Sequence, residues 1–556
     1  MGLIRNGNRA GEWEACMISV QEFTERRPYN AASDFIDVNI ERGRGDKTAF
    51  TDGRRSISYR ELQTQSQRFA HGLRALGLKQ ESRIALLLLD TIDYPVAFWG
   101  SIRAGVVCIP LNTLLAPEQY LYMLDDSRAE MIFVSAPLLK SIEPVLDRLH
   151  NLHQVVVVGG DGTLPPQLGR RDLLFFEDVL ERGRTDAWTA PTVSDEVAFW
   201  LYSSGSTGQP KGVKHVHSSL IATAKLYGQN VLGIREDDVV YSAAKIFFAY
   251  GLGNAMSFPM SVGATAVLLP DRPAPDAIFA LMKRERPTIF FGVPTLFAAM
   301  LAHKDIGVGV GSDRLRCCVS AGEALPGNLG QRWKETVGAD ILDGIGSTEM
   351  LHIFVSNRPD DLRYGTSGKP VPGYDAKIID EHGKEVGAGE IGELLVRGPS
   401  AADGYWNQRA KSRRTFAGEW TFTGDKYIRD EQGYYQYCGR TDDMFKVSGN
   451  WVSPFEVEAA LASHSAVLEA AVIGEEDDDK LIKPKAYIVL KPGIAADPQL
   501  LESLKEHVKA AAGLWKYPRW VEFRAELPKT ATGKIQRFKL REESAAERAK
   551  GSGRAA

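Results

Sequence analysis

The stretch Ala198-Phe199-Trp200-Leu201-Tyr202-Ser203-Ser204-Gly205-Ser206-Thr207-Gly208-Gln209-Pro210-Lys211-Gly212 joins a short apolar run to glycines, hydroxyls and one lysine. The apolar half has the character of a strand buried on both faces. The polar half has the chemistry of a polyanion cradle. Glycines let backbone amides come close, hydroxyls add donors, and Lys211 supplies charge. A Ser/Gly linker has a similar composition, but buried-strand character before the loop and Lys211 after it favour phosphate. A Walker A loop is excluded, because Pro210-Lys211-Gly212 stands where Gly-Lys-Ser/Thr is required. Ser203, Ser204, Gly205, Ser206, Thr207, Gly208 and Lys211 are therefore candidate ligands of a phosphate loop of another kind.

On both sides of this loop the chain alternates helical and strand-like patterns from about Ser58 to Asn357. Ser58-Tyr59-Arg60-Glu61 forms a capping box that opens a helix carrying Leu62, Phe69, Leu73 and Leu76, with Gly77 placed to end it. Apolar β-branched runs recur at Ile84–Leu89, Val106–Ile109, Met131–Val134, Val155–Val158, Val239–Tyr241, Ala264–Leu269, Thr288–Phe291 and Cys317–Val319. Such alternation predicts a large layered α/β domain with mostly parallel sheets. After Tyr364, Gly, Pro and Asp punctuate shorter strands such as Ala376–Ile379 and Gly392–Val396, which predicts a β-rich subdomain. From Asp442 onward a small α+β domain is expected, giving domains 1–441 and 442–556. Its last stretch, Glu542 to Ala556, has no apolar face and is expected to be disordered.

The 556 residues are 44% hydrophobic and 25% charged, as in a soluble protein with a large core. With 67 basic and 71 acidic side chains the net charge is −4, which speaks against a nucleic-acid partner. The longest aliphatic run, Ile84 to Leu89, is far below the ~20 residues that span a bilayer. The first residues carry no signal-peptide pattern, so no leader is expected, and the acylation cue of Met1-Gly2 fails at Asn6. Five cysteines without CxxC spacing predict a reduced, cytoplasmic protein.

Six motifs follow one another along the chain: the Ser203–Gly212 loop, Ser320-Ala321-Gly322-Glu323, Asp343-Gly344-Ile345-Gly346-Ser347-Thr348-Glu349, Thr423-Gly424-Asp425, Gly439-Arg440-Thr441-Asp442-Asp443, and Pro528-Lys529-Thr530-Ala531-Thr532-Gly533-Lys534. In that order they resemble the acyl- and aryl-CoA synthetases of the adenylate-forming superfamily, over about residues 30 to 541. Lys245-Ile246-Phe247-Phe248-Ala249-Tyr250-Gly251-Leu252-Gly253-Asn254 and Ser347-Thr348-Glu349-Met350-Leu351-His352-Ile353 look most like benzoate–CoA ligases.

The resemblance implies two half-reactions. A carboxylate attacks the α-phosphorus of MgATP to give an acyl adenylate and pyrophosphate, and the thiol of coenzyme A then displaces AMP. The Ser203–Lys211 loop would hold the β- and γ-phosphates, Thr348 the α-phosphate, and Glu349 the Mg²⁺, which prefers one or two carboxylates beside phosphate oxygens and water. Ser-Thr-Glu is also an ordinary capped helix start. Gly322, Glu323, Ala324 and Asp343 to Ser347 (Gly344, Ile345 and Gly346 between them) would line the nucleotide. Many relatives stack a tyrosine on adenine where Ile345 stands here. Asp425 suits the ribose hydroxyls, and Arg440 would bridge ribose and phosphate. Lys534 would neutralise carboxylate and α-phosphate as charge develops. Rotation of the small domain about Asp442 would then withdraw Lys534 and bring Lys446 and Gly449 to the thioester site.

By the same resemblance Phe248, Ala249, Tyr250, Ala321, Gly346, His352 and Ile353 would line a short, flat aryl pocket, with Phe248 as gate. Gly346 is expected to leave a slot for a planar ring. Benzoate, 4-hydroxybenzoate and an aminobenzoate all fit this reading, since His352 or the Tyr250 hydroxyl could bond a ring substituent or each other. His217 and the Cys317-Cys318 pair are expected to be packing residues, and no zinc site is expected. Competing readings are an adenylation enzyme loading a separate carrier protein, a luciferase-like oxygenase, and a non-catalytic descendant. Only 22 residues follow Lys534, so an attached carrier domain is not expected, and Lys534, Glu349 and Asp425 are all retained. The partners expected are small molecules, with the protein a monomer or homodimer.

Overall fold

The computed structural model describes residues 20–160, 167–168, 171–205, 208–307, 312–447, 450–477, 480–529 and 535–552. Each apolar run named from the sequence is a strand. Among the described residues, nine strands make one sheet around a parallel set: Thr48–Thr51, Thr265–Val267, Val239–Ser242, Ile289–Gly292, Cys317–Ser320 and Ile341–Gly346. Nine more make a second sheet around Val197–Gly205, Val107–Pro110, Arg83–Leu87, Met131–Ser135, Gln154–Val158 and Arg171–Phe175.

Successive strand residues point to opposite faces, so each sheet feeds two cores. Ile84 and Leu86 from the second sheet, Val240 and Phe291 from the first, and Phe69, Phe98 and Trp99 from intervening helices share one central cluster. Ala85 and Leu87 face a second cluster, and Phe290 and Cys318 a third. This explains why the strands read as continuous apolar runs rather than alternating ones. The helix Tyr59–Ala75 begins on the expected capping box: the Glu61 amide donates to Ser58 Oγ at 3.2 Å and the Ser58 amide to Glu61 Oε2 at 2.8 Å. Gly77 follows at φ +90°, a backbone state that costs glycine nothing.

The β-rich unit is antiparallel, with Asp375–Ile379, Gly392–Arg397, Trp420–Arg429 and Tyr435–Arg440 side by side. A turn at 441–443 leads into a small α+β domain. There Val467–Glu476, Ile482–Leu490 and Trp520–Phe523 pair, and Val457, Leu461, Val472, Ile488 and Leu504 form a separate core.

One expectation is overturned. The segment from Glu542 is not disordered as far as Ser552, because the helix Arg537–Ser552 runs through it. Its anchors are mostly polar. Ser544 is buried and bonds Glu475 and Lys485, Glu543 pairs with Arg524 at 2.6 Å, and Arg541 pairs with Asp443 at 2.7 Å. Leu540 adds a single buried apolar side chain. A hydropathy pattern cannot register an anchorage made of ion pairs.

Among the described residues no helix is long and apolar enough to cross a membrane.

Candidate active site

The phosphate loop is the tip of a hairpin. Val197–Gly205 and Gly208–Val216 pair antiparallel, with Lys211 opposite Ser203. Ser206 and Thr207 at the tip lie outside the described residues. The hairpin delivers Ser203 and Lys211 to Glu349, which sits on the short turn Thr348–Met350 just past the strand Ile341–Gly346. Ser347 Oγ caps this turn through the Met350 amide at 3.2 Å, so the motif is a capped turn as well as a candidate ligand carrier. His215 Nε2 holds the Thr348 carbonyl at 2.8 Å.

Three groups converge on one oxygen of Glu349. Tyr405 Oη donates to Oε1 at 2.8 Å, Ser203 Oγ lies 3.5 Å from the same atom, and so does Lys211 Nζ. Lys211 also donates to Tyr405 Oη at 3.2 Å and rides 4.4 Å over its ring. Asp425 and Arg440 are cross-strand partners joined at 3.1 Å. The Asp425 carboxylate is the main reason the Arg440 guanidinium is held even more firmly protonated than usual, and Glu349 adds to it. Both carboxylates thus share one basic neighbourhood. Gly424, which precedes Asp425, has φ +72°.

Nucleotide candidates from the first sheet lie at adjacent carboxyl ends of parallel strands, where open α/β sheets bind ligands. Ser320 and Asp343 are in register, and Ala321, Gly322, Glu323 and Ala324 follow the first strand. Gly322 has φ +91°, which explains its residue type. Asp343 is buried, one carboxyl oxygen has no partner, and burial raises its pKa well above the usual carboxylate range. Ser320 Oγ is likewise buried and unpaired.

The aryl candidates surround His352, which is 3% exposed. Its Nε2 lies 3.1 Å from Asn254 Oδ1 and 3.3 Å from the Tyr250 carbonyl. Both are acceptors, so Nε2 carries the proton and the buried Nδ1, which has no partner, is a bare acceptor. Phe258 packs edge-on at 4.4 Å, with Tyr227 and Tyr250 tilted at 5.3 and 5.5 Å. Burial holds the imidazole neutral, its pKa lowered to about 3. Phe248 lies against Phe247 at 4.4 Å and precedes the helix Ala249–Leu252. The Tyr250 hydroxyl is directed to the carbonyls of Val319 and Gly292, at 3.1 and 3.3 Å, so it bonds neither His352 nor a slot.

Gly346 departs from the expected reason for its residue type. A Cβ there would lie 2.6 Å from the His352 carbonyl and 2.8 Å from the Ile353 amide, because Gly346 and Ile353 are paired across a hairpin. Backbone closure, not an open slot, excludes a side chain.

Two further candidates, Asp442 and Lys446, lie in or just beyond the turn that follows Arg440. Lys446 pairs with Glu381 at 3.5 Å and lies 4.8 Å over Trp451. Asp442 is in the turn after Arg440, and the next residue, Asp443, pairs with Arg537 and Arg541. Gly449 and Lys534 lie outside the described residues, and of Ser204, Gly205 and Gly208 only the backbone pairing is described. His217 is buried, takes the Ala31 amide on Nδ1 at 3.2 Å, and is a packing residue as expected. Cys317 and Cys318 are buried in their strand. Sequence reading missed Tyr405, Asn254 and His215, whose importance comes from contacts across 56, 98 and 133 residues. No local pattern announces such contacts.

A Mg²⁺ fits this donor set. Among the described residues no three His, Cys, Asp or Glu side chains form a metal cage, and Glu349 offers a hard carboxylate oxygen, its side chain 15% exposed. Magnesium characteristically takes one or two carboxylates and leaves its other positions to phosphate and water.

The chain matches the AMP-binding enzyme family over residues 37–406 and the AMP-binding enzyme C-terminal domain over 456–534. It is 55% identical over 515 residues to a benzoate–CoA ligase of Thauera aromatica, covering 92% of this chain and 96% of that one. A solved benzoate CoA ligase from Burkholderia xenovorans LB400 superposes with a TM-score of 0.84 at 48% identity, covering 92% of this chain and 100% of that one. The anthranilate CoA ligase AuaEII, in complex with anthranoyl-AMP, superposes with a TM-score of 0.87 at 44% identity, covering 94% and 98%. On these grounds the protein belongs to the AMP-binding enzyme family and is an adenylate-forming acid–thiol ligase that uses ATP, Mg²⁺ and coenzyme A.

Proposed function

We propose that the protein is a benzoate–CoA ligase, converting benzoate, ATP and CoA to benzoyl-CoA, AMP and pyrophosphate through an enzyme-bound benzoyl adenylate. The observation that carries this reading is the enclosure of His352. The pocket candidates are aromatic rings, small or branched aliphatic side chains and backbone, and the one imidazole among them is neutral and already donates its proton to Asn254 and the Tyr250 carbonyl. An unsubstituted ring brings no polar group of its own into this enclosure, and discrimination against short or flexible acids comes from unfilled or overfilled apolar volume, worth about 1–3 kcal/mol.

In the proposed division of labour the barrier of the first step is the approach of one anion to another, which oriented positive groups lower. Ser203 and Lys211, with the hairpin tip, hold the terminal phosphates. Glu349 and Thr348 face the nucleotide's metal and α-phosphate, and Asp425 and Arg440 take the ribose. A Mg²⁺ held by Glu349 would offset phosphate charge. Lys534 adds an ammonium between carboxylate and α-phosphorus. Domain 442–556 turns about Asp442 to bring Lys446 and Gly449 to the thioester site, where a missing Cβ leaves room for pantetheine. The setting we infer is cytoplasmic, with the enzyme a monomer or homodimer.

The test is kcat/KM for benzoate, 4-hydroxybenzoate, 2-aminobenzoate and hexanoate on wild type and His352→Ala. Benzoate should lead, with hexanoate about 10- to 200-fold lower. His352→Ala should hurt 4-hydroxybenzoate most if the bare Nδ1 receives its hydroxyl. A preference for hexanoate over every aromatic acid would overturn the assignment.

A further inference from the structure

We propose that Tyr405 is a positioning residue for the nucleotide's metal: its hydroxyl fixes Glu349 by one oxygen and keeps it fixed when the other partners of that oxygen move to phosphate. The inference rests on the reading of Glu349 as the magnesium ligand.

All three described hydrogen-bond and ion-pair contacts of the Glu349 carboxylate fall on Oε1, and two come from Ser203 and Lys211 at 3.5 Å, the groups read as phosphate ligands. A bound triphosphate competes for both, since a lysine ammonium and a serine hydroxyl bind phosphate oxygens strongly. Tyr405 is not among the groups read as phosphate ligands. Its hydroxyl also meets Thr415 Oγ1 at 3.3 Å and Lys211 at 3.2 Å, but at 2.8 Å its bond to Glu349 is the shortest of them and the one of normal hydrogen-bond length on Oε1. With Oε1 held, the carboxylate keeps its second oxygen for the cation.

Tyr405 is built to stay in place. Its strand, Gly404–Tyr405, pairs with the phosphate hairpin, Tyr405 opposite Val213. The segment before it ties down the Glu349 turn: the Ala402 amide donates to the Glu349 carbonyl at 2.8 Å, and Ser400 Oγ to the Met350 carbonyl at 2.7 Å. The ring packs with Val213, Ala402 and Phe416, and its amide donates to Ser412 Oγ at 3.0 Å. One side chain thus links phosphate hairpin and metal turn, each already stitched to its backbone. Partners that orient a ligating carboxylate typically change metal affinity 10- to 100-fold when removed.

The experiment uses Tyr405→Phe, which keeps the ring beneath Lys211 and removes only the hydroxyl. Mn²⁺ binding in the presence of α,β-methylene-ATP is read from the electron paramagnetic resonance signal of free Mn²⁺, alongside thioester formation from pre-made benzoyl adenylate. Manganese affinity should fall about tenfold while thioester formation keeps at least half its rate. Unchanged manganese affinity would overturn the proposal. Equal loss of both readouts would reduce Tyr405 to a structural residue and overturn it too. Glu349→Gln is the control that separates the two readings: if it leaves manganese binding intact, the metal reading of Glu349 falls, whatever Tyr405→Phe does.

Discussion

Around His352 the neighbours are fixed by packing before any substrate arrives, whereas around Glu349 the charged groups hold one another. Phe258, Tyr227 and Tyr250 enclose the imidazole, and its proton is committed to Asn254 and a backbone carbonyl. Lys211 and Ser203, by contrast, rest on the carboxylate they would have to leave. The first region can discriminate because a dry, close-packed wall does not yield cheaply. The second can exchange partners because a lysine–carboxylate pair, 16% and 15% exposed, can be replaced by lysine–phosphate and carboxylate–metal pairs. On the proposed reading, shape selectivity and charge handling fall to different side chains, although both sets stand at the same strand ends.

The largest effect that could break this comparison is expected at Lys534. Lys534→Ala should slow adenylation about 10²- to 10³-fold, the usual loss for one preorganised charge-stabilising donor. Thioester formation from pre-made benzoyl adenylate should be largely spared. Single-turnover measurements of each half-reaction decide it, and equal loss in both would mean that charge handling is not confined to the first step.

Gly346 lies where the two regions meet, on the strand that leads from the pocket wall into the Glu349 turn. Gly346→Ala places a methyl group 2.6 Å from the His352 carbonyl, so the hairpin must open. A stability loss of about 1–3 kcal/mol is expected, visible in the denaturant midpoint, and both half-reactions should fall together. A variant as stable as wild type would show that the hairpin yields and would restore the ring-slot reading.

The smallest effect sharpens the dry side. In the unfolded chain His352 titrates near 6.5, whereas in the fold burial lowers its pKa to about 3. Between those values the unfolded state binds the extra proton, so stability falls as pH drops through the window. The slope from this residue approaches about 1.4 kcal/mol per pH unit midway between the two values, and it fades out within about one unit above pH 6.5. His352→Gln should remove that share of the slope between pH 6 and 4 in urea titrations. An unaltered slope would mean that the imidazole is wetter than its neighbours imply. His215 and His217, each lowered to about 4 by burial, supply similar slopes of their own and remain in the variant.

Much of this protein is written locally. The capping box at Ser58, the doubly buried strands and the change to short antiparallel strands after Tyr364 follow from periodicity and turn chemistry, which depend on neighbours a few residues apart. So does the order of the six motifs, which carried the nucleotide reading and the family. What sequence alone could not determine depends on groups far apart in the chain. Tyr405 reaches Glu349 because a short strand pairs with the phosphate hairpin, and His352 faces Asn254 because a hairpin folds it back over a helix. The reason for Gly346 and the anchorage of the helix beyond Glu542 were settled the same way, one by a backbone close approach and the other by ion pairs. Local pattern records which surfaces seek burial. Only the folded chain decides which polar atoms those surfaces enclose, because a hydrogen bond or charge pair needs both partners at once and the sequence states only one of them at a time.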